Sequence, residues 1–148
     1  MSLTTAILEE KRTVEEFFYS SNRFENLSPQ EILRWANLEF GSRAALATGF
    51  GAEGCALISM LAEINPKARF FYLDTDLLFP ETYDLRDRLE RKYGIKFERK
   101  TAEISLAKQT EIYGEKLWEL DSNKCCQIRK VEPLKQMLAG LTAWITAI

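Results

Sequence analysis

The apolar positions of the chain change period several times, and each change marks an element. From Leu3 to Tyr19, the residues Leu3, Ile7, Leu8, Val14, Phe17 and Phe18 recur at spacings of mostly three, four and seven. That pattern predicts an amphipathic packing helix. Ser28, Pro29 and Glu31 form a helix start: a serine N-cap, a proline where its missing N–H costs nothing, and a glutamate reaching back as a capping box. The helix is expected to end near Gly41. Ala44 to Thr48 is a short apolar run bounded by glycines, suited to a strand buried on both faces. Gly49, Phe50, Gly51, Ala52, Glu53 and Gly54 follow it. The stretch from Cys55 to Ile64 is long enough for a helix and stops at Asn65 and Pro66, and Arg69 to Leu73 reads as a second buried strand.

Strand, glycine loop, helix, strand is a βαβ unit, and the pattern continues. Pro80 opens a charged helix carrying Leu85, Leu89 and Tyr93, Gly94 caps it, and Ile95 to Glu98 reads as a third strand. Ser105 to Tyr113 and Val131 to Leu138 read as helices, and Ala143 to Ile148 as a fourth strand. The expected fold class is therefore α/β, a parallel twisted sheet flanked by helices, in a single domain over residues 1–148. There is no internal repeat, low-complexity tract or linker composition. Ligands of open α/β sheets bind beyond the carboxyl ends of the strands. A sequence that stops on its fourth strand is accordingly expected to be truncated.

Composition narrows the function. The formal net charge of −2 leaves no basic surplus and argues against a nucleic-acid partner. No stretch approaches a membrane span, and the mixed first residues do not form the apolar core of a signal peptide. Hydrophobic residues make up 46% of the 148 positions, enough for a core that needs no disulfide staples. The cysteines are Cys55, Cys125 and Cys126, an odd count with two adjacent, which suits a reducing compartment and points to the cytoplasm. Histidine is absent, so a histidine base or ligand within this chain is excluded.

Three segments can carry chemistry. Glycines after a strand, here Thr48 to Gly54, let backbone N–H groups approach an anion at a helix N-terminus; the alternative is an ordinary tight βα turn. The loop is neither the Walker pattern nor the dinucleotide fingerprint. Leu73, Asp74, Thr75 and Asp76 end the second strand at the same sheet edge, where the aspartates could equally cap the next helix. Cys125 and Cys126 precede Arg129 and Lys130 at an expected helix start, which favours thiolates for a metal cluster or redox role over a buried structural pair. Cys55, in an apolar helix, is expected to pack in the core.

Together these segments resemble the assimilatory adenylylsulfate and phosphoadenylylsulfate reductase family, of adenine-nucleotide α-hydrolase-like fold, over about residues 30 to 148. The resemblance rests on Thr48 to Glu53, on Leu73-Asp74-Thr75 with Leu78-Phe79-Pro80-Glu81-Thr82-Tyr83, on Cys125-Cys126-Gln127-Ile128-Arg129-Lys130-Val131-Glu132-Pro133-Leu134, and on Ala143-Trp144-Ile145-Thr146. It implies a reductase that releases sulfite and an adenosine nucleotide from adenylylsulfate or phosphoadenylylsulfate, with thioredoxin or glutaredoxin as reductant. A family cysteine attacks the sulfur to give an S-sulfo intermediate. Cys125 and Cys126 would be two of the four ligands of a [4Fe–4S] cluster. Lys130 would neutralise phosphosulfate charge, with Arg129 adding to that field, while Thr48, Gly49, Phe50, Gly51, Ala52, Glu53, Asp74 and Thr75 would hold the nucleotide.

The chain also departs from the family. Its second cysteine pair, its arginines after the last strand and its terminal segment with the nucleophile have no counterpart in these 148 residues. The resemblance thus implies an N-terminal portion that does not turn over by itself. Gly54 stands where the family commonly has an acidic residue, and Asp76 where it commonly has glycine, an extra negative charge expected to weaken binding of a dianion unless it turns to a helix N-terminus. Two other classes remain open: a non-catalytic adenosine-nucleotide-binding module, and a metal or redox site completed by Cys125 and Cys126 of two chains in a homo-oligomer. An ATP pyrophosphatase ranks last, because its Ser-Gly-Gly-x-Asp-Ser loop is absent.

Overall fold

The computed structural model describes residues 24–147. The helix expected over Leu3 to Tyr19 lies outside these. Ser28 caps helix α1 (Pro29–Phe40) as its sequence predicts: its hydroxyl accepts from the Glu31 amide, and the Glu31 carboxylate accepts from the Ser28 amide. Gly41 ends the helix at φ 53, a conformation that glycine takes without a Cβ penalty. A 3-10 turn then delivers the chain to β1 (Ala44–Ala47).

Helix α2 (Ala52–Ile64) starts three residues earlier than the apolar run suggested, because Gly51 already serves as N-cap and Glu53 lies in the first turn. Asn65 ends it, and β2 (Arg69–Asp74) follows. Helix α3 (Pro80–Tyr93) has proline in its first turn and Gly94 in the left-handed region at its end. The third strand, β3 (Phe97–Thr101), lies further along than the expected Ile95 to Glu98. Ile95 is core, but it belongs to the connection; the Glu90 carboxylate takes the Phe97 amide at 2.9 Å and Lys96 Nζ at 2.7 Å there. Arg99 and Lys100 hide the second half of β3 in the sequence, because an edge strand exposes polar side chains.

Helix α4 (Leu106–Tyr113) is capped by Ser105, whose hydroxyl accepts from the Lys108 amide. Two short helices not foreseen from the sequence follow, α5 (Leu117–Leu120) and α6 (Ser122–Cys126), then a π turn (Gln127–Val131) that runs into α7 (Glu132–Leu138). Pro133 explains the widening: without an N–H it cannot close the normal i→i−4 bond, and the Glu132 amide donates back to Gln127 O instead. The last strand, β4 (Ala143–Ile145), is shorter than the expected Ala143 to Ile148.

All four strands are parallel, in the order β3-β2-β1-β4. The core is centred on Leu46, Ile58, Leu61, Phe70 and Tyr72, with the Phe97 ring edge-on to Phe50, Phe70 and Tyr72. The chain leaves β1 toward β2 on one side while β4 returns on the other. The carboxyl ends of β1 and β4 therefore diverge into a crevice, the switch point at which open α/β sheets place their ligands.

Candidate functional site

A cleft of about 340 Å³ opens at that switch point. Thr48 and Gly49 line it from the end of β1, Leu73 and Thr75 from β2, Trp144 and Thr146 from β4, and Lys130 and Leu134 from the π turn and α7. Its walls are mostly apolar, with a hydroxyl at each of three strand ends and one ammonium, a lining that suits a planar heterocycle with an anionic tail.

The glycine loop is built by a strained residue. Thr48 Oγ1 accepts from the Phe50 amide at 2.9 Å, and Phe50 adopts φ 64, a region that non-glycine residues enter only when held there. What holds it is its ring, buried in the core 5.2 Å from Phe97 and 5.4 Å from Tyr72. The Phe50 side chain is thus an anchor, and only its backbone faces the loop. Gly49, Gly51, Ala52 and Glu53 are exposed at the start of α2, where backbone N–H groups and the helix dipole favour an anion. A Cβ on Gly54 would lie 2.8 Å from Thr48 Oγ1, so glycine here is tied to the threonine that shapes the loop. Cys55 packs against the core with its thiol 3.7 Å from Phe50 O, and burial pushes its pKa up, which leaves it a poor nucleophile.

Beside the cleft runs a network of charges. Asp74 is fully buried at the end of β2. Its Oδ1 accepts from Tyr83 Oη at 2.8 Å and from the Asp76 amide at 2.9 Å, and its Oδ2 from Arg99 Nε at 2.6 Å. Burial pushes the Asp74 carboxyl upward, but Arg99, the Tyr83 hydroxyl and the Asp76 amide outweigh it and hold the pKa below the usual carboxylate value. Tyr83 is pushed up to about 12 by burial and by the neighbouring carboxylate. With its oxygens so engaged, Asp74 shapes the site from behind.

Asp76 continues the network. Its Oδ1 accepts from Arg99 Nη2 at 3.0 Å and its Oδ2 from Arg129 Nη1 at 3.0 Å. It reaches no helix N-terminus; its charge is met by two guanidinium groups. Arg129 is 1% exposed, with Nε donating to Gln109 Oε1 at 2.7 Å. The resemblance has Lys130 neutralise phosphosulfate charge and Arg129 add to that field; in the structure Arg129 points inward, and Lys130, exposed, lines the cleft. Arg99 and Gln109 were not anticipated. The signal for Arg99 is its place in a β strand facing Asp74; for Gln109, a polar residue on the buried face of an otherwise exposed helix.

Cys125 is buried and Cys126 is exposed, one turn into the continuous helix that α6 opens. Two adjacent thiols are soft donors that fit half the ligand set of a [4Fe–4S] cluster, which takes four. Among the described residues, no group of three or more His, Cys, Asp or Glu side chains is placed to hold a metal ion.

Residues 43–148 match the sequence profile of the Phosphoadenosine phosphosulfate reductase domain. The chain belongs to the phosphoadenosine phosphosulfate reductase family. Among its relatives in this family is the adenosine 5'-phosphosulfate reductase of Salinibacter ruber, 45% identical over 126 residues that make up 85% of this chain and 50% of that protein. Adenosine 5'-phosphosulfate reductase 2 of Bacillus subtilis is 41% identical over 119 residues, 80% of this chain and 50% of its own length. The chain thus spans about half the length of the curated relatives it matches. A crystal structure of phosphoadenylyl-sulfate reductase from Candida auris in a phosphate complex superposes with a TM-score of 0.80 at 27% identity, over 90% of this chain and 67% of that one. The family fold is the expected adenine-nucleotide α-hydrolase-like one.

Proposed function

We propose that this chain forms the nucleotide-binding part of a cytoplasmic adenylylsulfate or phosphoadenylylsulfate reductase, a single domain that holds the sulfonucleotide at the β1/β4 switch point. The observation that carries the reading is the cleft itself. An apolar slot between Leu73, Leu134 and Trp144 suits the adenine, and the Thr48 to Glu53 loop, Thr75 and Lys130 offer backbone amides, a hydroxyl and a positive charge to the phosphosulfate. Relatives that are named adenosine 5'-phosphosulfate reductases support a reductase reaction; in this reading the S–O bond to the nucleotide is cleaved, sulfite is released and a small redox protein such as thioredoxin or glutaredoxin provides the electrons.

In the whole protein, Cys125 and Cys126 would hold two irons of a [4Fe–4S] cluster, the remaining ligands coming from outside the described residues. Such a cluster would add a large local charge next to Lys130. The chain's own residues bind and orient: the loop fixes the nucleotide phosphate, and Asp74 with Tyr83 and Arg99 fixes the end of β2. Cys55 is the cysteine beside the loop and is not activated, so the 148-residue chain tested by itself is expected to bind without turning over.

Calorimetric titration with AMP, ATP and adenosine 5'-phosphosulfate tests the reading. Saturable binding with preference for the sulfated nucleotide is expected. Absence of binding to all three overturns it, and equal binding of all three reduces the chain to a general adenosine-nucleotide module.

A further inference from the structure

The turn after β2 contains an anion of the protein's own, and its setting points to a second one. Asp76 adopts φ 58, a conformation open to glycine and tolerated by aspartate. From there its carboxylate bridges two arginines that lie 30 positions apart, taking Arg99 Nη2 on one oxygen and Arg129 Nη1 on the other. Arg129 is almost fully buried, and its Nη2 has no hydrogen-bond partner. The Nη1 and Nη2 groups of a guanidinium form an end-on fork whose natural partner is a pair of oxygens on one carboxylate, sulfate or phosphate. Asp76 fills one tine only, because its other oxygen is drawn to Arg99. A buried, charged donor left unmade is costly, and no acceptor of the network bonds it: Gln109 Oε1 takes Nε, and Asp76 takes Nη1.

The charges agree with the geometry. Arg99 and Arg129 face the carboxylates of Asp74 and Asp76, so the cluster is balanced, and removing the Asp76 charge leaves one positive charge uncompensated. The cluster adjoins the cleft on both sides, since Thr75 directly before Asp76 and Lys130 directly after Arg129 line it.

We propose that Asp76 is an internal occupant of an oxyanion site formed by Arg99 and Arg129, and that it sets how tightly this chain takes a sulfate or phosphate group there. The carboxylate competes with the external anion, and the apparent dissociation constant is the intrinsic one divided by the fraction of time the arginines are free of Asp76. Occupancy of about nine-tenths weakens the site about tenfold. That the natural anion is the phosphosulfate of a nucleotide rests on the function proposed above; the oxyanion site itself does not.

The test uses sulfate as the probe, titrated into the 148-residue chain at constant ionic strength with chloride as the balancing ion. Asp76→Gly suits the backbone and Asp76→Asn keeps the shape of the side chain while removing its charge. Both are expected to bind sulfate at least tenfold more tightly than the wild type, and adding Arg99→Gln to Asp76→Gly is expected to abolish most of the gain. The proposal is overturned if the folded Asp76 variants bind sulfate within twofold of wild type, if the gain survives Arg99→Gln, or if both Asp76 variants lose cooperative unfolding, which would assign the carboxylate a structural role. AMP titrated into the same proteins separates the two readings. If none binds AMP while the sulfate gain persists, the nucleotide reading falls and the oxyanion site stands.

Discussion

Replacing Asp74 by alanine removes the acceptor on which the end of β2 is organised. Three donors lose their partner: Tyr83 Oη, the Asp76 amide and Arg99 Nε. The Arg99 side chain is 52% exposed and rehydrates, so its lost ion pair costs less than about 1 kcal/mol. The hydroxyl and the amide are partly buried, and each lost bond costs about 1–1.5 kcal/mol. The sum is a destabilisation of about 2–4 kcal/mol, or a fall in Tm of about 4–16 °C for a chain of this size. Urea unfolding followed by circular dichroism measures it, with Lys108→Ala, on an exposed pair with Glu111, as a control expected within about 0.5 kcal/mol of wild type. Tyr83→Phe, alone and combined with Asp74→Ala, completes a double-mutant cycle with an expected coupling of about 1 kcal/mol. If Asp74→Ala matches the control, or the coupling is near zero, Asp74 does not organise the strand end and the reasoning is wrong.

Other expectations follow from the same geometry. Asp74, Glu90 and Glu98 all have carboxyl pKa values held below their usual ones, so each contributes stability that is fully present above the unfolded-state pKa of about 4 and is lost as pH falls through the lower folded value; urea midpoints are expected to be flat from pH 7 to about 5 and to fall below that. Gly54→Ala forces Thr48 Oγ1 off the Phe50 amide and is expected to destabilise the chain by about 1–2 kcal/mol in urea unfolding, the effect shrinking when Thr48→Ala is added. Lys130→Gln, at an exposed position in the cleft, is expected to leave the unfolding midpoint unchanged while weakening adenosine 5'-phosphosulfate binding about tenfold by calorimetry.

The sheet and the helices beside it were legible because their signals are local: the Ser28 capping box, the apolar run of β1, and Pro80 and Gly94 bracketing α3. The apolar run from Ala143 marked the fourth strand, and the family came from the motifs. What stayed hidden was long-range. The third strand was expected, but not its extension through Arg99 to Thr101, which its pairing with β2 settles, from Phe70 opposite Phe97 to Asp74 opposite Thr101. Arg99 and Gln109 acquire their roles from partners that lie more than 19 positions away in sequence, Asp74 and Arg129. The partners of Asp76 stayed hidden for the same reason, since both of its arginines come from distant segments. Arg129 and Lys130 look equivalent in sequence, but neighbours on a helical turn point about 100° apart, which buries Arg129 and leaves Lys130 lining the cleft.

Amide-resolved NMR of the chain titrated with AMP tests most directly the claim that the β1/β4 switch point is the nucleotide site. Saturable shifts of the Thr48, Gly49, Gly51, Thr75 and Thr146 amides, with little change on the outer face of α3 around Asp84 and Arg88, are the predicted result. Shifts confined to that outer face, or no saturable shift at nucleotide concentrations in the millimolar range, would contradict it.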